Sequence, residues 1–354
     1  MRLGILGLPQ SGKTTLFEIL VAGAPPRAPG ARQDRVGVVR VPDARVDRLS
    51  AMYHPKKTTY ATLEIVDSQA MGQATGGGAG AGKGTDLFAG VRNADALVLV
   101  VRAFDNPGVP HPRTTIDPER DLRDLASEIV LNDLAITETR LERIGKQMRV
   151  AKAPELEREQ AVLKRAHEAL EAERPLRALE FTREEEKILR GFQLLSRKPL
   201  LVVYNVSAGQ SFVPPASEEP GVVSVVLPCA DEREVTQLPL EERAAFREAY
   251  GIPEDGLVLL VRSAYALLGL ISFLTTGEDE VRAWTIHAGE SAVDAAGAIH
   301  SDLAQGFVRA QVIPYERFLE AGTEAKAREK GWQRTEGREY VVVDGDILHI
   351  LHNK

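Results

Sequence analysis

"GLPQSGKTT", residues 7–15, follows the apolar stretch "RLGIL" (2–6) and leads into "LFEIL" (16–20). Gly7, Gly12, Lys13 and Thr14 complete the pattern G-x-x-x-x-G-K-[ST]. Each residue type answers a physical demand. The glycines let backbone N–H groups curl around phosphates, the lysine meets their charge, and the threonine hydroxyl reaches Mg²⁺. The helix that follows presents its N-terminus to the same anion. A chance match in a glycine-containing turn is disfavoured by the context, a buried strand before the motif and a helix after it. The stretch predicts a nucleoside triphosphate cradle made of Gly7, Leu8, Pro9, Gln10, Ser11, Gly12, Lys13, Thr14 and Thr15, with Mg²⁺ as its companion.

Four more apolar runs have the look of buried parallel strands: "ATLEIVD" (61–67), "ALVLVVRAF" (96–104), "PLLVVYNV" (199–206) and "VVSVVLPC" (222–229). Helical patterns separate several of them, which predicts an open α/β sheet with helices on both faces. Asp67 ends the second run, where an aspartate holds Mg²⁺ through water in such folds; a plain strand-end turn is the alternative. The glycine-rich "GGGAGAGKG" (76–84) reads as a mobile switch loop rather than a dinucleotide motif, because no strand runs directly into it.

Between the third and fourth runs the rhythm changes. Val130, Leu134, Thr137, Leu141, Ile144 and Met148 alternate spacings of four and three, Pro154 interrupts, and Leu156, Leu163, Ala166 and Leu170 resume the seam. An antiparallel helical hairpin inserted in the α/β domain is the reading, with two ordinary surface helices as the alternative. Arg140, Arg143, Lys146, Arg149 and Lys152 crowd its tip, with Glu142 alone opposing them in that stretch. Thr182 before "REEE" reads as a helix N-cap. Beyond residue 275, "EVRAWTI" alternates, "SAVDAAGAIHSDLAQGF" reads as one helix, and "EYVVVDGDILHIL" reads as a hairpin turning at Asp344-Gly345. A small α+β module is expected there. The expected domains are 1–122 with 196–274 for nucleotide binding, 123–195 for the hairpin, and 275–354 for the C-terminal module.

Composition narrows the function. The 354 residues carry 44 basic and 51 acidic side chains, a net charge of −7, so no chain-wide basic field points to DNA or RNA and no DNA specificity is expected. The single cysteine, Cys229, rules out an internal disulfide and a cysteine-cluster metal site, which fits a reducing compartment. His349 and His352 sit three apart in an alternating strand and point to opposite faces, a poor metal pair. No apolar run approaches the roughly 20 residues of a membrane helix, and the first strand meets the phosphate loop rather than a cleavage site. No membrane partner and a cytoplasmic location are expected.

"GLPQSGKTTLF", "VGVVRVPDARVDRL" (36–49), "LPCA" (227–230), "LVRSAYALLGLISFLTTGEDEVRAWTI" (260–286) and "AAGAIHSDLAQGFVRAQVI" (295–313) together resemble the YchF family, or Obg-like ATPases, of the translation-factor class of P-loop GTPases. The resemblance spans nearly the whole chain. It implies a P-loop NTPase sheet, an inserted coiled-coil hairpin and a C-terminal TGS domain of ubiquitin-like fold that binds partners. It implies a nucleotide-dependent switch, binding ATP or GTP with weak hydrolysis, near ribosomes or stress machinery. The basic hairpin tip and the TGS domain are then the surfaces for ribosomal RNA or protein. An inactive nucleotide-binding scaffold is the alternative reading. Motif matching carries Mg²⁺ onto Thr14 and Asp67, catalysis onto Lys13, Asp67, Ala70 and Met71, and base contacts onto Asn205, Val206, Cys229 and Ala230.

Several positions depart from the family pattern. Where the family reads D-x-A-G-L, this chain has "DSQAM", so Ala70 replaces a glycine and Met71 follows it. The segment "PGARQDRVGVV" (29–39) lacks the threonine of the first switch, leaving Arg32 and Arg35 as its cations. The base-reading N-x-x-E becomes "NVSA", Asn205 to Ala208. Slow turnover and loss of guanine selectivity are expected.

Overall fold

The computed structural model describes residues 1–21, 34–68, 88–150, 153–252 and 255–353. They fall into two compact units, Met1–Val39 with Glu64–Leu260, and Arg40–Leu63 with Val261–Lys354.

The first unit is built on a six-stranded sheet. Its strands are β1 (Arg2–Gly7), β2 (Arg35–Arg40), β4 (Thr62–Asp67), β5 (Ala96–Arg102), β6 (Leu200–Asn205) and β7 (Val222–Leu227). The order is β2-β4-β1-β5-β6-β7, and the ladders from β4 to β7 are all parallel. The five apolar runs are thus the five parallel strands; β5 and β6 are buried at every residue, as central strands covered on both faces must be. Leu97, Leu99, Val101, Leu200, Val202 and Tyr204 form one core face, packed against Leu125 and Ile129 of helix α3 (Pro118–Val150).

Helix α3 and α4 (Pro154–Glu171) make the inserted pair. The alternating seam packs as expected: Val130, Ile144, Leu163, Ala166 and Leu170 are buried in one cluster, with Leu134, Leu141, Met148 and Leu156 packed against it. Across the pair Arg140 makes a two-point contact to Glu159, 2.6 and 2.7 Å, while Arg143, Lys146 and Arg149 stay exposed. Lys152 lies outside the described residues. Thr182 caps α5 (Arg183–Arg190) in a reciprocal capping box with Glu185. Buried Asp133 of α3 accepts from the N–H groups of Leu195 and Ser196 at 3.0 and 2.7 Å, tying the return segment to the hairpin base.

The second unit has its own six-stranded sheet, ordered β11-β10-β12-β8-β9-β3. Its strands are β3 (Lys57–Thr59), β8 (Leu270–Thr275), β9 (Glu280–His287), β10 (Phe307–Pro314), β11 (Arg334–Glu336) and β12 (Asp346–His352). Two expectations fail here. The stretch read as one helix is two, α7 (Ala292–Ile299) and α8 (Ser301–Gln305), broken at His300, whose backbone is extended and whose ring Nδ1 caps the second by accepting from Asp302 N–H. The expected hairpin at Asp344-Gly345 keeps its turn, but β12 does not pair back on residues 340–343. Both edges of β12 are taken, by antiparallel β10 and parallel β8. The preceding residues instead bond elsewhere, Val342 N–H to the Glu290 carbonyl and Ala292 N–H to the Tyr340 carbonyl.

Residues 40–63 belong to this unit. Strand β3 pairs in parallel with β9. Helix α2 (Ala44–Tyr53) buries Val46 and Leu49, and its Tyr53 ring stacks on Phe318 at 5.8 Å. Arg45 bridges Asp43 and Asp344 at 2.8 and 2.7 Å. Among the described residues no helix is long and apolar enough to cross a membrane.

Candidate functional site

Parallel register brings one edge of the first sheet to a common line. Gly7 lies opposite Val100, Arg102 opposite Asn205, and Asn205 opposite Leu227. The carboxyl ends of β1, β4, β5, β6 and β7 therefore finish together, which is where open α/β sheets bind ligands. A cavity of about 720 Å³ opens along that edge. Pro9, Gln10, Gly12, Lys13, Thr14 and Thr15 line one end, with Asp67; Phe104, Asp105, Asn106 and Val109, then Asn205, Val206 and Ser207, then Ala230, Asp231 and Arg233 line the remainder.

The loop between β1 and α1 (Lys13–Leu20) is shaped by glycine. Gly12, the residue before the helix, sits at φ 101°, and a Cβ there would lie 2.2 Å from Asn205 Nδ2. A Cβ on Gly7 would lie 2.4 Å from the Val100 carbonyl oxygen. The helix's first ladder bond runs from Leu16 N–H to the Gly12 carbonyl, so the amides before Leu16 lie outside that ladder. Lys13 Nζ donates to the carbonyls of Gly7 and Leu8 at 2.8 and 2.7 Å, bending the loop around its own ammonium group. A buried Asn205 locks the far side. Its Nδ2 donates to the Ser11 carbonyl at 3.0 Å, and its Oδ1 accepts from Cys229 N–H at 3.1 Å.

The expected residues divide on this geometry. Lys13, Thr14, Thr15, Pro9, Gln10, Gly12, Asp67, Asn205, Val206 and Ala230 share the cavity. Gly7, Leu8, Ser11 and Cys229 stand behind it: Gly7 and Leu8 give carbonyls to Lys13, Ser11 gives its carbonyl to Asn205, and Cys229 gives its N–H. The Cys229 thiol is fully buried, which pushes its pKa well above the ordinary thiol range. Ala70, Met71, Arg32 and the glycine-rich stretch 76–84 lie outside the described residues. Arg35 opens β2 and packs over the Phe17 ring at 4.4 Å, 3.6 Å from Glu18.

Phe104, Asp105, Asn106, Val109, Ser207, Asp231 and Arg233 also line the cavity, and no motif flagged them. Their one sequence signal is position, just past the ends of β5, β6 and β7. Arg102, almost fully buried, holds the first of these loops: it donates to the carbonyls of Phe104 and Val109 at 3.2 and 2.8 Å and lies over the Phe104 ring.

Thr14 and Asp67 put two hard oxygen donors into the same cavity. No cluster of three or more His, Cys, Asp or Glu suited to a metal occurs among the described residues. Two oxygens and a phosphate-binding loop suit Mg²⁺, which keeps several waters and takes its remaining ligands from phosphate rather than from an all-protein cage.

A parallel sheet whose first strand turns through glycines into a lysine-bearing helix defines the P-loop NTPase class. Comparison with known proteins narrows the class. The family model YchF-GTPase_C, described as a protein of unknown function (DUF933), matches residues 270–353. The ribosome-binding ATPase YchF of Bacillus subtilis (strain 168) is 38% identical over 363 residues, covering 99% of this chain and 98% of that protein. The protein of the same name from Escherichia coli O157:H7 is 35% identical over 360 residues, again 99% and 98%. The solved structure of the Schizosaccharomyces pombe YchF GTPase superposes with a TM-score of 0.82 at 31% identity, covering 99% of this chain and 97% of its own. This chain belongs to the YchF family.

Proposed function

We propose that the chain is a nucleotide-dependent switch that binds a purine nucleoside triphosphate with Mg²⁺, hydrolyses it slowly, and acts at ribosomes in the cytoplasm. The observation that carries the reading is the gathering of Lys13, Thr14 and Asp67 in one cavity at the carboxyl edge of the parallel sheet. Lys13 supplies positive charge to the terminal phosphates, and the α1 amides add N–H donors at the helix N-terminus. Thr14 and Asp67 are the residues that would hold Mg²⁺, which when bound neutralises the phosphate charge. Phe104 offers a ring face to the base. Water positioning is the weak element: Met71 brings no hydrogen-bonding side chain, and residues 29–39 bring no hydroxyl. Hydrolysis far below one per second is therefore expected without a partner.

Ribosome association is supported by the Bacillus subtilis and Escherichia coli relatives, both named ribosome-binding ATPases. Arg143, Lys146 and Arg149, exposed on α3, suit phosphate contact; Arg140, paired to Glu159, suits it less. Residues 275–354, read as the TGS domain, and the hairpin, read as a coiled coil, are the partner-binding parts. The functional division is 1–122 with 196–274 for nucleotide binding, 123–195 for the hairpin and 275–354 for partner binding, although by packing residues 40–63 and 261–274 of the first part fall in the second compact unit.

The decisive measurement is triphosphate binding by wild type and Lys13→Ala. Loss of the charge-assisted contact should weaken affinity by about 1.5–3 kcal/mol. Equal affinity would show that the phosphates bind elsewhere. Phosphate release by the purified wild-type protein, with and without ribosomes, then separates a slow enzyme from a scaffold.

A further inference from the structure

We propose that a second anion site lies at the opposite end of the first sheet, in a cavity that takes a small ligand by a pyrophosphate or similar oligophosphate group. The cavity holds about 430 Å³, within the size range of small-molecule sites. It opens at the amino ends of β5 and β6, whereas the nucleotide cavity opens at their carboxyl ends. Seven residues of β5 and six of β6, at about 3.3 Å each, hold the two roughly 20 Å apart. One wall is the turn before β5, Arg92 to Asp95; the other is the end of α5 and the segment returning to β6, Leu189 to Pro199. Gln193 Nε2 donates across to Asn93 Oδ1 at 2.6 Å, tying the two walls at an exposed point.

The charge of the lining selects the ligand. Arg92, Arg190, Arg197 and Lys198 line the cavity with a single carboxylate, Asp95, in a chain of net charge −7. The nearby acids are committed. Asp95 Oδ2 accepts from the Arg2 backbone N–H at 2.7 Å, Glu186 pairs with Arg197, and Asp133 accepts from Leu195 and Ser196 N–H. Lys198 Nζ donates to the carbonyls of Arg92 and Ala94, which leaves its third N–H for a ligand. Arg190, exposed in the last turn of α5, makes no side-chain hydrogen bond or ion pair among the described residues. Burial lowers the basicity of Arg197 and of Lys198, the latter to about 8, as it does for cations held from water without full compensation. An anion supplies the missing countercharge. A carboxylate has two oxygens, which one guanidinium satisfies, whereas an oligophosphate has enough to meet cations on both walls at once. A concave site of this volume suits a small molecule; a nucleic-acid backbone calls for an open basic stripe.

The test is calorimetric titration of the full chain with inorganic pyrophosphate in a Lys13→Ala background, which weakens the phosphate loop, with hydrogen exchange to locate the binding. One pyrophosphate should still bind. Peptides covering residues 89–98 and 186–199 should gain protection, while residues 8–20 change little. Adding Arg190→Glu should weaken that binding at least about tenfold without moving the thermal unfolding midpoint, because this side chain has no partner to lose. Adding Lys198→Met instead should weaken it to a similar degree. Absence of binding, protection confined to residues 8–20, or an Arg190→Glu affinity within about twofold of its parent would overturn the inference. Protection of the same peptides by a ribo-oligonucleotide but not by pyrophosphate would also overturn it, making the cavity the edge of a nucleic-acid surface.

Discussion

Asn205→Ala probes how the two halves of the nucleotide site are joined. The side chain is 4% exposed, and its amide spans two segments far apart in sequence, Ser11 at 3.0 Å and Cys229 at 3.1 Å. Truncation leaves a buried carbonyl and a buried N–H without partners. At about 1–3 kcal/mol for each stranded group, the local cost is roughly 2–6 kcal/mol. It falls on the phosphate loop and on the start of α6 (Cys229–Gln237). Hydrogen-exchange mass spectrometry of peptides covering residues 8–20 and 227–237 should show both opening more readily by that amount, with triphosphate affinity falling in parallel. Asn205→Asp sharpens the prediction. It keeps the acceptor for Cys229 N–H but sets a carboxylate oxygen against the Ser11 carbonyl, beside the phosphates. The start of α6 should be less disturbed than in the alanine variant, while the phosphate loop should be disturbed at least as much and nucleotide affinity should be lower still. If Asn205→Ala changed exchange by under 0.5 kcal/mol in both peptides, the amide would not be the tie between the loops.

Three further outcomes follow from buried groups. Asp133→Ala strands the N–H groups of Leu195 and Ser196 and should destabilise the first unit by roughly 2–4 kcal/mol in urea unfolding followed by circular dichroism, a change below 0.5 kcal/mol refuting the tie. Burial holds the Lys198 ammonium down to about 8, below an unfolded lysine near 10.5, so between those values the unfolded chain binds more protons and this residue's contribution to stability rises with pH. The stability of wild type relative to Lys198→Met should therefore grow from pH 8 to pH 10.5, and a flat or falling difference would contradict the burial. Cys229, buried and with its thiol held neutral, should resist iodoacetamide in the native protein and react on unfolding; rapid native labelling by mass spectrometry would contradict its placement.

What could be read from the chain alone is what local chemistry dictates. The phosphate loop lies within nine consecutive residues whose types leave little choice of backbone path or ligand. Five apolar runs had to be buried strands, because such runs are stable only when covered on both faces. The helical seam from Val130 to Leu170 showed itself through its period, and Thr182 through its capping partner Glu185. Tertiary structure decided where residues distant in sequence meet. The base end of the cavity draws on loops after three strands whose neighbours are set by the order β1-β5-β6-β7, and no periodicity encodes that order. Arg140 looked like an open cation until α4 brought Glu159 against it. The failed hairpin at Asp344-Gly345 has the same cause: turn chemistry is local, but the edges of β12 were already taken by β10 and β8. Residues 40–63 join the C-terminal unit for a like reason, since β3 pairs with a strand more than two hundred residues away. Local sequence sets which segments can form; competition among them for edges, partners and burial sets which contacts are made.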